Sequence, residues 1–314
     1  ALICRQHRIY QMIRFDTLFR LLKKRFNKGG YMIFVSSACL KKNQINQVLQ
    51  EYVENNIYNI ELSGGTKYYE GICDDLKKYR EKYDLKYVCH AYFPPSKNDF
   101  VINLASCNET IYKKSIDHYE KCIEMLRKYQ IPVLSIHAGF LVEITTETIG
   151  KKITKPVIYD EKEAYERFIN AYGYITKLCD ESNIDLYLEN NVLSSENYKE
   201  FHYNNYFMMT DFDSIIRMKK ELNFNLLLDL GHLFVSSNTL NLPFDNQCVK
   251  LKSYAKWLHI SENNGIKDQH LPLVKESIIT KQIASFDLNK INITLETIGS
   301  IEEIKNSIAI IKNK

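Results

Sequence analysis

A chain of 314 residues with 45% apolar and 25% charged side chains has the composition of an ordinary soluble globular protein, long enough for one large α/β barrel or two smaller domains. The net charge of +4 is unevenly spread: residues 1–31 hold eight basic residues and one acid, which leaves residues 32–314 at −3 and without bulk attraction for phosphate backbones. No apolar run approaches the roughly 18 residues of a membrane span, and eight cysteines with no C-x-x-C pair and no preceding secretory signal read as reduced thiols in a cytoplasmic protein.

Residues 1–31 differ in character from the rest of the chain. The stretch 9–26 is a basic, loosely amphipathic pattern that ends at Lys28-Gly29-Gly30, and the reading is an extension or translated leader, with Met32 as the natural start. The competing reading is a basic arm for nucleic acid or a membrane surface.

From Met32 onward the pattern alternates. Strand-like runs fall at 33–36, 59–62, 87–90, 133–137, 185–189, 225–229, 257–260 and 292–296. Helix-period stretches fall at about 43–55, 71–82, 108–129, 161–181, 211–222, 246–256, 273–284 and 301–312. Eight strands alternating with eight helices over residues 32–314 predict a (β/α)8 TIM barrel; a doubly wound open sheet is the runner-up, though its usual strand count is nearer five or six. The sixth run, Leu226-Leu227-Leu228-Asp229, reads as a strand buried on both faces, after which Gly231 is expected to turn the chain before His232. Residues 91–107, 138–160 and 194–210 are expected to carry substrate choice, as long segments on the face where barrels build their sites.

The strand ends carry the chemistry. Strand three ends at His90, four at His137, five at Glu189, six at Asp229 with His232 beyond, seven carries His259 with Asp268 and His270 after it, and eight ends at Glu296. In a barrel these ends share one mouth, where so many imidazoles and carboxylates without matching Lys or Arg call for a bound cation. Imidazole plus carboxylate suits Zn²⁺, Mn²⁺ or Fe²⁺, and the lack of cysteine there leans away from a structural zinc site. Each histidine alone is more often a hydrogen-bonded or surface residue; their joint placement is what points to metal.

This pattern resembles the xylose isomerase-like barrel superfamily across residues 32–314. Ile33-Phe34-Val35-Ser36-Ser37-Ala38, Tyr58-Asn59-Ile60-Glu61-Leu62-Ser63-Gly64-Gly65 and Leu188-Glu189-Asn190-Asn191 resemble its sugar isomerase and epimerase branch. The resemblance implies one divalent ion, Zn or Mn, held by Glu189, Asp229, His259 and Glu296, with the two glutamates as acid and base and His232 on a substrate oxygen. Asn190, Glu262 and His90 are further expected substrate contacts. The endonuclease IV branch, also similar, would hold three zinc ions, and His90, His137, His232, Asp268 and His270 match its further ligands.

Two mechanisms are open. An isomerase or epimerase acting on a small sugar or sugar phosphate would move a proton through a metal-stabilised enediolate, with Glu189 or Glu296 as base. An abasic-site phosphodiesterase would send a metal-activated hydroxide at phosphorus. The negative barrel and the single lysine in Ser63-Gly64-Gly65-Thr66-Lys67-Tyr68-Tyr69 favour the sugar enzyme, and nucleic acid is a partner only under the alternative. A non-catalytic sugar-binding barrel would bind metal without turnover. No membrane partner is expected, and a homodimer is left open.

Overall fold

The computed structural model describes residues 31–314. The expectations for residues 1–31 therefore lie, Tyr31 apart, outside the described residues. In chain order the elements are β1 (Ile33–Ser36), α1 (Ile45–Glu54), β2 (Asn59–Leu62), α2 (Ile72–Tyr83), β3 (Lys86–His90), α3 (Glu109–Tyr129), β4 (Val133–His137), α4 (Glu161–Glu181), β5 (Asp185–Glu189), α5 (Ser195–Glu200), α6 (Phe212–Glu221), β6 (Asn225–Asp229), α7 (Leu230–Thr239), α8 (Phe244–Leu251), β7 (Ala255–Ile260), α9 (Ile278–Ile283), β8 (Asn292–Leu295) and α10 (Ile301–Lys312). The eight strands close into one parallel barrel, each paired with its sequence neighbours and β8 with β1. This is the (β/α)8 barrel that the alternation predicts.

Parallel strands buried on both faces divide their side chains between two cores, because successive residues point to opposite faces. Outward residues such as Ile60, Leu134, Leu188, Leu228 and Leu258 join the large shell under the helices. Inward residues Phe34, Val88, Val133, Leu227 and Trp257 form a separate apolar floor inside the barrel, with Met32 and Tyr187 against it. Trp257 lies 5.3 Å from Phe34 and 5.5 Å from Tyr187 between ring centroids.

Helix starts follow their capping residues. The side chains of Asn108, Asp160 and Ser300 accept backbone N–H groups at the first turns of α3, α4 and α10. One expectation fails here. Gly231 does not turn the chain after β6 but lies inside α7, which begins directly at the strand's end, with Asp229 as its N-cap. Space there is tight: a Cβ would meet Ser261 Oγ at 3.0 Å and Asn263 Nδ2 at 3.1 Å.

The segments 138–160 and 194–210 pack on each other. Val142, Ile153, Leu193, Phe201 and Phe207 form a small core of their own, and Phe140 bridges backbone to Phe207. Asn191 staples it, donating through Nδ2 to the carbonyls of Ala138, Gly139 and Met208. Phe201 and Phe207 of the 194–210 segment are thus spent on packing. Among the described residues no helix is long and apolar enough to cross a membrane, and seven cysteines are free thiols.

Candidate metal centre

Above the apolar floor the inward positions change character. Two residues beyond Val88, Tyr187, Leu227 and Trp257 stand His90, Glu189, Asp229 and His259, one layer nearer the carboxyl ends of their strands. Glu296 follows β8, where its N–H donates to Ile260 O at 3.0 Å. Glu189, Asp229 and His259 are fully buried. One ligand atom from each of Glu189, Asp229, His259 and Glu296 lies within 4.8 Å of the others. His259 Nδ1 stands 3.2 Å from Glu296 Oε2 and 3.5 Å from Glu189 Oε1.

Both Glu189 oxygens, Asp229 Oδ2 and His259 Nδ1 are buried without a hydrogen-bond partner. Orphaned lone pairs are costly in a folded interior, and four converging donors of oxygen and imidazole type are what a divalent first-row ion takes up. The residues present therefore fit such an ion. Asp229 divides its carboxylate: Oδ1 accepts the His232 N–H at 2.6 Å to cap α7, and Oδ2 is left for the centre.

Further donors crowd the same space. His90 Nε2 lies 3.2 Å from His137 Nε2 and 3.4 Å from Glu189 Oε2, and His137 Nδ1 lies 3.5 Å from Glu189 Oε2. His232 Nε2 and His270 Nε2 approach Asp268 Oδ2 at 3.3 and 2.9 Å. The structure thus gathers Glu189, Asp229, His259, Glu296, His90, His137, His232, Asp268 and His270 at one mouth, in four donor groups of which one adds Glu61 to His90 and His259.

Electrostatics without an ion show what the donors do for each other. Burial pulls His259 down, but Glu296, Glu61 and Glu189 hold it well above the usual imidazole range. Burial likewise opposes protonation of His232, which Asp229 and Asp268 hold well up, and of His270, which Asp268 raises to about 9. Burial pushes Asp229 up to about 7 against the pull of His232. Burial also favours neutral Glu189 and Glu296, yet His137 and His259 hold Glu189 well below its usual range, and His259 holds Glu296 at about 2. Burial lowers His90, and His137 to about 4. Protons on the imidazoles balance the carboxylates where an arriving cation would replace them.

Two of the expected substrate contacts already have protein partners. The Asn190 side chain is occupied by backbone: Oδ1 accepts the Asp229 N–H at 2.7 Å and Nδ2 donates to Asp229 O at 3.2 Å. Its carbonyl accepts from His232 Nδ1 at 2.9 Å, so Asn190 fixes Asp229 and His232. The Glu262 carboxylate accepts from Ser277 Oγ, at the start of α9, and joins none of the donor groups.

Glu61 is the residue that the strand-end reading passed over. It sits inside β2, 1% exposed, with Oε2 3.1 Å from His259 Nε2 and 3.0 Å from Thr294 Oγ1. The available signal was a charged residue at an inward position of a strand whose neighbours are apolar.

Residues 51–314 match the profile of the xylose isomerase-like TIM barrel family. An uncharacterized protein of Methanocaldococcus jannaschii is 26% identical over 212 residues, which span 68% of this chain and 69% of that protein. Among solved structures, a D-tagatose 3-epimerase-like protein superposes with a TM-score of 0.66 at 19% identity, covering 90% of this chain and 96% of the other. A D-psicose 3-epimerase from Clostridium cellulolyticum, solved with D-tagatose, superposes with a TM-score of 0.57 at 14% identity, covering 90% and 91%. With its closed eight-stranded barrel and a profile match over most of its length, this chain belongs to the xylose isomerase-like TIM barrel family.

Proposed function

We propose that the protein is a divalent-metal-dependent isomerase or epimerase of a small sugar or sugar phosphate, acting in the cytoplasm. One observation carries the reading: four donors from the ends of β5 to β8 converge within 4.8 Å of one another, three of them fully buried with orphaned lone pairs. The sugar epimerases among its structural neighbours support the substrate class.

Zinc or manganese, when bound, supplies the positive charge that polarises a substrate carbonyl and acidifies the C–H beside it. Glu189 and Glu296 border the centre from β5 and from the end of β8, both against His259 Nδ1. One of them takes the proton from carbon; the same group or its partner returns it to the neighbouring carbon or to the opposite face. His232 donates from Nδ1 to Asn190 O, and its Nε2, 3.3 Å from Asp268 Oδ2 in the free protein, would share or exchange that contact for a substrate oxygen. Segments 138–160 and 194–210, which follow β4 and β5 and pack on each other, would border one side of the mouth.

A second reading, a trinuclear zinc phosphodiesterase acting on abasic DNA, draws on one specific observation: His90, His137, Asp268 and His270 lie against the same centre. Metal content of the purified protein separates them, near one ion per chain for the sugar enzyme and near three for the phosphodiesterase. Solvent deuterium entering a trial ketose in an EDTA-sensitive manner supports the first. EDTA-sensitive incision of abasic DNA, with no exchange into any sugar tested, overturns it.

A further inference from the structure

We propose that Glu61 is a positioning residue for the metal centre, setting the tautomer and ring angle of His259 from the far side of the barrel. The proposal rests on the reading that Glu189, Asp229, His259 and Glu296 hold a divalent ion. His259 has two ring nitrogens with different neighbours. Nδ1 faces Glu189 and Glu296 and has no hydrogen bond. Nε2 stands 3.1 Å from Glu61 Oε2. A carboxylate can only accept, so the proton belongs on Nε2 and the lone pair of neutral His259 is left on Nδ1, aimed at the donor set.

Glu61 is itself held. Thr294 Oγ1 donates to Glu61 Oε2 at 3.0 Å and accepts from Trp257 Nε1 at 2.9 Å. Tryptophan can only donate, which leaves the threonine proton for Glu61. The chain Trp257–Thr294–Glu61–His259 therefore has one direction, running from the apolar floor up to the centre. All four residues are buried, at most 2% exposed. Glu61 comes from β2 and His259 from β7, strands that are not neighbours in the barrel, so the contact spans the interior. Burial pushes Glu61 toward the neutral acid, and His259 and Thr294, both on Oε2, oppose that push while Oε1 has no partner. Carboxylates behind metal-bound imidazoles orient the ligand and raise its basicity, and their loss typically costs about 10–100-fold in metal affinity.

The test uses the full chain and cobalt(II) as the probe, with affinity from competition against a chelator and geometry from the visible spectrum of the loaded protein. Glu61→Leu, which fills the space but cannot accept, is expected to weaken cobalt binding by about 10–100-fold and to alter the ligand-field bands. Glu61→Gln, which still offers an oxygen to Nε2–H, is expected to fall between Leu and wild type. Thr294→Val leaves the carboxylate and removes its support, and is expected to weaken binding in the same direction by a smaller factor. Should Glu61→Leu fail to fold, the Gln and Val variants decide the matter. Wild-type affinity and spectrum in the folded variants would overturn the role of Glu61 while leaving the centre intact. Failure of the wild-type protein to bind cobalt would overturn the metal reading itself, a separate outcome.

Discussion

The barrel interior holds two layers, which on the shared strands β3, β6 and β7 are two residues apart. The floor, Phe34, Val88, Val133, Leu227 and Trp257, is apolar, and its one polar side-chain atom, Trp257 Nε1, donates to Thr294 Oγ1. The layer above it, Glu61, His90, Glu189, Asp229 and His259, is equally buried yet leaves polar atoms without partners. The floor gains from every apolar atom removed from water, whereas the upper layer is retained against desolvation by mutual charge. One layer holds the barrel together, and the other is a cost that the first sustains.

Breaking each layer separately should therefore give opposite phenotypes. Glu296→Gln removes a candidate base that faces the upper layer from the end of β8, and turnover of the sugar substrate should drop by on the order of 10³-fold with an unchanged thermal unfolding profile in the metal-free state. Turnover kept at the wild-type rate would remove Glu296 from the catalytic set. Trp257→Ala opens the floor instead, and urea denaturation should show about 3–5 kcal/mol of lost stability.

Stripping the ion with EDTA should sharpen the contrast further. The holoprotein loses about 3 kcal/mol of apparent stability when the ion had been present at ~100 times its dissociation constant. Reloading should release protons, because His259 and His232 are held above their usual range when no cation is present. Calorimetry in buffers of different ionisation heat reads that release. Metal uptake with no proton exchange would mean that the imidazoles start out neutral.

The smallest effect isolates burial from charge. His118 on α3 is buried beside Phe100 and Tyr119, its Nε2 has no hydrogen bond, and burial lowers it from 6.5 to about 4. For a base with a depressed folded value, the unfolded chain takes up the proton first. Stability is thus fully present above about pH 6.5 and is lost as pH falls toward 4, by up to about 3 kcal/mol. His118→Gln should flatten that slope in denaturation curves recorded across the interval. An unaltered slope would assign the acid sensitivity to the upper layer instead.

The eight strands were legible because short apolar runs bounded by polar breaks have few other uses in an alternating chain. The strand-end donors were legible because a barrel gathers strand ends by construction, so position in the chain nearly determines position in space. What escaped detection was local competition. Gly231 reads as a turn by itself, yet the His232 N–H donates to Asp229 Oδ1 and caps a helix that already includes it. Asn190 and Glu262 are polar residues at the right depth whose side chains are occupied by Asp229 and Ser277, and no periodicity reports a partner that distant in sequence. Glu61 lies inside its strand, where a search for ligands at strand ends does not look.

The floor has one more consequence. Trp257 is the sole tryptophan of the chain, 2% exposed, and its indole N–H bonds to Thr294, which bonds to the carboxylate behind His259. The molecule thus carries an intrinsic fluorophore wired to its chemistry. Emission from the metal-free protein should be blue-shifted, as for an indole out of water, and should change in intensity as cobalt or manganese fills the centre. A label-free titration of the site is built into the barrel.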